Sequence, residues 1–184
     1  ENTLFREKFE KMFVSKIHEF IKKCKIDGGK GAPNPPTIYV AKDCHRVDIW
    51  RNKIYPDYKK NRTTDDAFMR SPFFELAYNT LFEKAGCRGI LYHPKLEADD
   101  CIAIAVNMII QREPNATITI ITGDNDYLQL AKHPNLTLYN LQRKKLTDGK
   151  QCTGDPKKDL FCKIVCGDKS DDIPSVFRKT KCGI

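Results

Sequence analysis

Four short clusters of carboxylates constrain this chain more than any other feature: Asp43; Glu97, Asp99 and Asp100; Asp124 and Asp126; Asp168 and Asp171. Three of the four stand where an apolar run stops, and an α/β fold gathers its ligand groups at the carboxyl ends of its strands. The acids are therefore expected at one rim of one sheet. The rest of the chain is basic, with 32 Lys and Arg against 24 Asp and Glu and a formal net charge of +8. Acid gathered at one place in a basic chain points to metal ions held against a polyanion.

At 184 residues and 40% hydrophobic, the chain is long enough for one substantial core, and one domain over residues 1–184 is the expectation. Its longest apolar stretch, Cys101 to Ile110, is far shorter than the roughly 20 residues a bilayer span requires, so no membrane partner is expected. The expected setting is intracellular, in cytoplasm or nucleus. The eight cysteines are scattered without paired CxxC spacing, which reads as reduced thiols rather than a zinc site.

Apolar residues at three- and four-residue steps, among them Phe5, Phe9, Phe13, Ile17 and Phe20, predict an amphipathic helix over residues 3–24. Residues 72–85, from Glu97 to about Arg112, and from about Pro156 to Cys166 carry the same period, with a shorter helix near Tyr127 to Lys132. Strands are predicted at Thr37 to Ala41, Gly89 to His93, Thr117 to Thr122 and Leu136 to Leu141. The third is β-branched throughout and is expected mid-sheet with both faces covered, the fourth at an edge. Alternating strands and helices imply right-handed crossovers and a central, mainly parallel sheet flanked by helices.

Glu97 and Asp100 fall one helical turn apart at the start of their helix, where the helix dipole offsets only about 0.3–1 kcal/mol per charge. That cannot hold so many carboxylates together. Hard divalent cations can, because an all-oxygen shell suits Mg²⁺ or Mn²⁺, and two such ions polarise a phosphodiester and generate hydroxide at neutral pH. Any one of these aspartates alone reads as a helix cap or turn residue; four clusters at strand and helix ends do not.

The run RNKIYPDYKKNR, residues 51–62, holds five basic residues in twelve. A helix beginning near Pro56 would set Lys59 and Arg62 a turn apart for a phosphate, with Lys60 beside them and Tyr58 free to stack on a base. The bland alternative is a solvated charged face. Lys169, Lys179 and Lys181 are further basic residues suited to tracking a duplex backbone.

The motifs IYPDYKKNR, LEADD, ITGDNDYLQL and CGDKSDDIPSVF, in this order, resemble the 5′-nuclease superfamily of flap endonucleases, phage 5′ nucleases and polymerase-linked 5′–3′ exonucleases. The resemblance implies a PIN-like α/β fold that binds DNA with a 5′ flap or 5′ end. It further implies phosphodiester hydrolysis with two divalent ions, in replication or repair. By motif it assigns metal binding to Asp43, Glu97, Asp99, Asp100, Asp124, Asp126, Asp168 and Asp171, and contact with the scissile phosphate to Lys59 and Arg62. A monomer acting beside replication proteins is the expected assembly.

The family pattern opens with a strand ending in Asp, ahead of the helix with which this sequence begins. Residues 167–184 resemble the opening of a helix–hairpin–helix, a K⁺ site in the family when complete. The expectation is a piece of a longer protein. Two other readings stand beside the nuclease: a catalytically impaired nucleic-acid-binding module of the same fold, and a PIN-type ribonuclease.

Overall fold

Aromatic residues at four-residue steps decide where the first helix lies. In the computed structural model, which describes residues 3–26, 35–62 and 71–177, α1 (Thr3–Lys23) lays Phe9 edge-on against Phe73 at 5.1 Å between ring centroids and Phe13 against Phe82 at 5.1 Å. Those partners belong to α2 (Ser71–Leu76) and α3 (Phe82–Lys84), which are joined through a π-type turn over Ala77–Leu81. The turn directs Ala77 and Leu81 inward, and Leu81 is fully buried. Gly86, at φ 87°, ends the segment in a backbone conformation that a side chain would disfavour. The chain then enters a strand.

β1 (Ile38–Ala41) and β2 (Cys87–Leu91) pair in parallel, as do β3 (Ile118–Ile121) and β4 (Leu136–Tyr139). The strands thus form two parallel pairs, and among the described residues no ladder joins β1 to β3. The expectation of parallel strands among helices holds. The expectation that β3 lies mid-sheet with both faces covered does not: β3 pairs on one side only, and Ile121 is 42% exposed. Its β-branched composition reflects strand propensity, which by itself does not fix how many neighbours a strand has. β2 also begins two residues earlier than predicted, at Cys87.

α4 (Ala98–Arg112) ties the two pairs together. It packs on β1 and β2, while Val106 enters the larger core with Ile120, Tyr127, Leu128, Leu130, Leu136, Leu138 and Leu146. A second, smaller core of Cys44, Ile49 and Tyr58 lies under the basic segment. α5 (Pro156–Cys166) starts on a proline and is capped by Asp155, whose carboxylate accepts from the Lys157 amide at 2.9 Å.

The helix expected to begin near Pro56 does not form: residues 56–61 are turns, and the 3₁₀ helices before them, Arg46–Asp48 and Trp50–Lys53, end ahead of Pro56. Lys59 sits at φ 55°, outside helical space. Its amide donates to the Asp171 carbonyl at 2.9 Å, and Asn61 donates to the Asp172 carboxylate through its amide at 2.8 Å and its side chain at 2.5 Å. Long-range bonds thus replace the intrahelical ones.

Candidate active site

Each acid reaches the site by a different local device. Asp43 follows β1 by two residues, and its Oδ1 accepts from the Ala98 amide at 2.7 Å, tying the end of β1 to the first turn of α4. The same helix start brings Glu97, Asp99 and Asp100, with one carboxylate oxygen of each lying within 4.8 Å of the others. Asp124 follows β3 and accepts from the Asp126 amide at 2.9 Å, opening a 3₁₀ helix, Asn125–Lys132. Asp168 accepts from the Ser170 amide at 2.7 Å and hydroxyl at 2.6 Å, which fixes the turn that carries Asp171.

These devices converge. A cleft of about 470 Å³ is lined by Asp43, Glu97, Asp99, Asp124, Asp126, Asp168 and Asp171, with Lys59, Arg62, Arg46 and Ser170 in the same wall. Seven of the eight acids singled out in the sequence therefore meet at one opening. Asp100 does not line it. Arg51 donates to both its oxygens, at 2.7 and 2.8 Å, Trp50 Nε1 donates at 3.1 Å, and the Glu97 amide donates at 3.2 Å. Burial raises the Asp100 pKa, but the Arg51 and Trp50 hydrogen bonds outweigh it and hold the carboxyl below its ordinary range.

Glu97 is the one buried charged residue among those described, at 5% exposure. An isolated carboxylate there would cost several kcal/mol, and three partners prevent it. Arg51 Nη1 lies 3.0 Å away, the Tyr58 hydroxyl donates at 2.8 Å, and the Lys59 ammonium pairs with the other oxygen. Arg62 pairs with Asp171 at 2.7 Å and donates from Nε to the Ser170 carbonyl at 3.0 Å. Arg46 reaches the carbonyls of Lys59, Lys60 and Arg62, holding the basic segment in place.

Lys163, on the last full turn of α5, contacts Asp126 and lies 2.7 Å from Asp168. Burial raises Asp168, yet the Lys163 and Ser170 bonds prevail and hold it well below the carboxylate range. Asp126 goes the other way: burial raises its pKa, and the Asp124 and Asp168 charges add to this against the single Lys163 contact. Asp99 is likewise raised, first by burial and then by Asp100 and Glu97. Asp43, Asp99 and Asp124 have no ion-pair partner among the described residues. A hard, all-oxygen donor set with uncompensated charge fits a divalent cation.

Several sequence expectations change in three dimensions. Tyr58 is only 7% exposed, its ring lies against Arg51 and Lys59, and its hydroxyl belongs to Glu97 and Asp171, so it offers no face to a base. Lys60 turns to Asp57 at 2.8 Å, away from the cleft, and Lys169 is exposed outside it. Lys179 and Lys181 lie outside the described residues. The sequence pattern does not single out Arg51, Arg46, Lys163 or Ser170. Nothing in a basic run distinguishes Arg51, whose partner stands 49 residues away, and a lysine in a last helical turn reads as a dipole partner.

The family described as 5′-3′ exonuclease, N-terminal resolvase-like domain, matches residues 9–157. Ribonuclease H of Enterobacteria phage T4 is 33% identical over 144 residues, covering 76% of this chain and 46% of that protein. The 5′-3′ exonuclease of Bacillus subtilis (strain 168) is 32% identical over 136 residues, covering 69% of this chain and 43% of its own length. DNA polymerase I of Lactococcus lactis subsp. cremoris (strain MG1363) is 29% identical over 158 residues, 78% of this chain and 17% of that protein. The chain spans less than half the length of each of these curated relatives. With the match reaching from α1 into α5 and enclosing six of the eight acids, the chain belongs to the 5′-3′ exonuclease family, as its N-terminal resolvase-like domain.

Proposed function

We propose that this chain is the nuclease domain of a structure-specific 5′ nuclease that hydrolyses DNA phosphodiesters at a 5′ flap or 5′ end, in replication or repair. One observation carries the reading: acids from four separated segments share a cleft with Lys59 and Arg62. Asp43, Glu97, Asp99, Asp124, Asp126, Asp168 and Asp171 are the groups that would hold two divalent ions, Mg²⁺ or Mn²⁺. Asp100, engaged by Arg51, orients the start of α4. Bound there, such ions polarise the phosphodiester and lower the pKa of water.

The chain's own residues do the rest. Lys59, paired with Glu97, and Arg62, paired with Asp171, stand in the same wall as the acids and supply positive charge to a scissile phosphate, where charge develops on the non-bridging oxygens. Arg46 and the Asn61–Asp172 bonds hold those two side chains in register with the Asp171 turn. Residues 1–184 act as one domain, and residues 167–184 begin the duplex-binding region, with a K⁺ site if the hairpin is complete. The active form is a monomer, and replication proteins are its partners.

Cleavage of a labelled 5′-flap oligonucleotide in Mg²⁺, against an EDTA control and a single-stranded RNA of equal length, tests the reading. Asp124→Asn is expected to lower the rate by about 10²-fold or more, the scale of losing a group that acts in the transition state, with flap affinity retained. Equal cleavage by wild type and variant removes the mechanism, and preference for the RNA transfers the chain to the ribonuclease reading.

A further inference from the structure

With Tyr58 buried, an unpaired base entering the cleft needs an aromatic face from elsewhere. Of the other aromatics near the rim, Tyr127 is buried in the cleft wall, Trp50 donates to Asp100 and lies 4.9 Å from the Arg51 guanidinium, and Tyr55 donates to the Asp172 carbonyl at 3.0 Å. Tyr92 differs. It follows β2 directly, is 50% exposed, and its hydroxyl has no hydrogen bond among the described residues.

Strand register places its neighbours. Ala41 pairs with Leu91, and the Lys42 amide donates to the Leu91 carbonyl at 3.0 Å, so Lys42 and Tyr92 stand side by side where β1 and β2 end. The Lys42 ammonium lies 5.8 Å from the Tyr92 ring centroid and 5.1 Å from that of Tyr78, whose hydroxyl donates to the Ala41 carbonyl at 3.2 Å. The residue after Lys42 is Asp43, which lines the cleft. A cation held between two rings, one of them open to solvent, beside an acid-lined cleft combines the two elements of a single-strand platform.

We propose that Tyr92, backed by Lys42 and Tyr78, is a stacking subsite for one unpaired base of the DNA strand that enters the cleft, with Lys42 meeting the adjacent phosphate. The inference rests on the nuclease reading and adds a subsite to it. A base laid on the Tyr92 face keeps its edges in solvent, so the subsite tolerates any sequence.

Fluorescence anisotropy in EDTA, with a duplex bearing a 5′ single-stranded overhang and a blunt duplex of the same sequence, tests it. Tyr92→Ala is expected to weaken overhang binding about 5- to 30-fold, the lower range for loss of one base–aromatic stack, and to leave blunt-duplex affinity within about twofold. Tyr92→Phe should bind as wild type, and Lys42→Met should lower the salt slope by about one. Wild-type overhang affinity in Tyr92→Ala, with an unchanged melting curve, overturns the subsite, as does an equal loss on the blunt duplex. Cleavage in Mg²⁺ separates the two ideas. An uncleaved substrate with a Tyr92 effect on the overhang sinks the nuclease reading alone; normal cleavage without that effect sinks the subsite alone.

Discussion

At the scale of single residues, the site is a contest between like charges settled by basic side chains from distant segments. Lys163 shows it best: it joins Asp126, delivered by β3, to Asp168, delivered by α5. Removing it leaves two close carboxylates facing each other, which a divalent cation relieves. Because Lys163 is 34% exposed, solvent screens the effect, and Lys163→Met is expected to cost about 1 kcal/mol in EDTA. That is a fall of about 2–4 °C in the melting midpoint for a domain of this size. Calorimetry should show no such fall, or a much smaller one, in saturating Mg²⁺. A variant that melts as wild type in EDTA would mean the contact has no structural weight. Tyr58 makes the complementary point: a tyrosine beside two lysines reads as a ligand contact, yet a buried glutamate claims its hydroxyl.

At the scale of elements, apolar period and caps made most helices legible. Asp155 before Pro156, and Glu97 before a run with Asp100 three residues on, mark helix starts that the structure keeps. What failed was local reasoning where long-range bonds intervene. The segment from Pro56 to Arg62 has helix-compatible residues, but Asn61, Lys59 and Arg62 all bond to the 168–172 turn. That turn depends on Gly167. At φ 68° it adopts a conformation L side chains rarely take, and a Cβ there would come within 2.5 Å of the Ile173 and Pro174 backbone. Gly167→Ala is expected to destabilise by roughly 1–3 kcal/mol and to disturb Asp168 and Asp171 together. Denaturant unfolding would read the first effect, and flap cleavage at a temperature where the variant is folded the second. An alanine variant with wild-type stability would show that the backbone yields without cost.

At the scale of the whole molecule, a chain of net charge +8 concentrates its acids at the junction of two strand pairs that α4 holds together. Asp43 and Asp99 belong to one half of that junction, Asp124 and Asp126 to the other, and Asp168 and Asp171 to the turn after α5. Ions bound between them therefore cross-link separate elements and should bind the folded state alone. Mg²⁺ is expected to raise the melting midpoint with concentration, adding about 2.7 kcal/mol of stability per site at a hundredfold excess over its dissociation constant. Asp124→Asn should blunt that rise. A midpoint indifferent to Mg²⁺ and Mn²⁺ would argue that the cleft does not hold ions.

The clustered acids, the parallel α/β character and most helix starts are legible in the amino-acid order alone, because they follow from residue type and from periods of two or three to four residues. Long-range packing sets which base meets which acid, that Arg51 holds Asp100 and Glu97 takes the Tyr58 hydroxyl, and that the described strands pair two by two. Ion pairs such as Arg51 with Asp100 and Lys59 with Glu97 join positions 38 to 49 residues apart. Pairing at that range is chosen by packing and desolvation, which local sequence pattern does not carry.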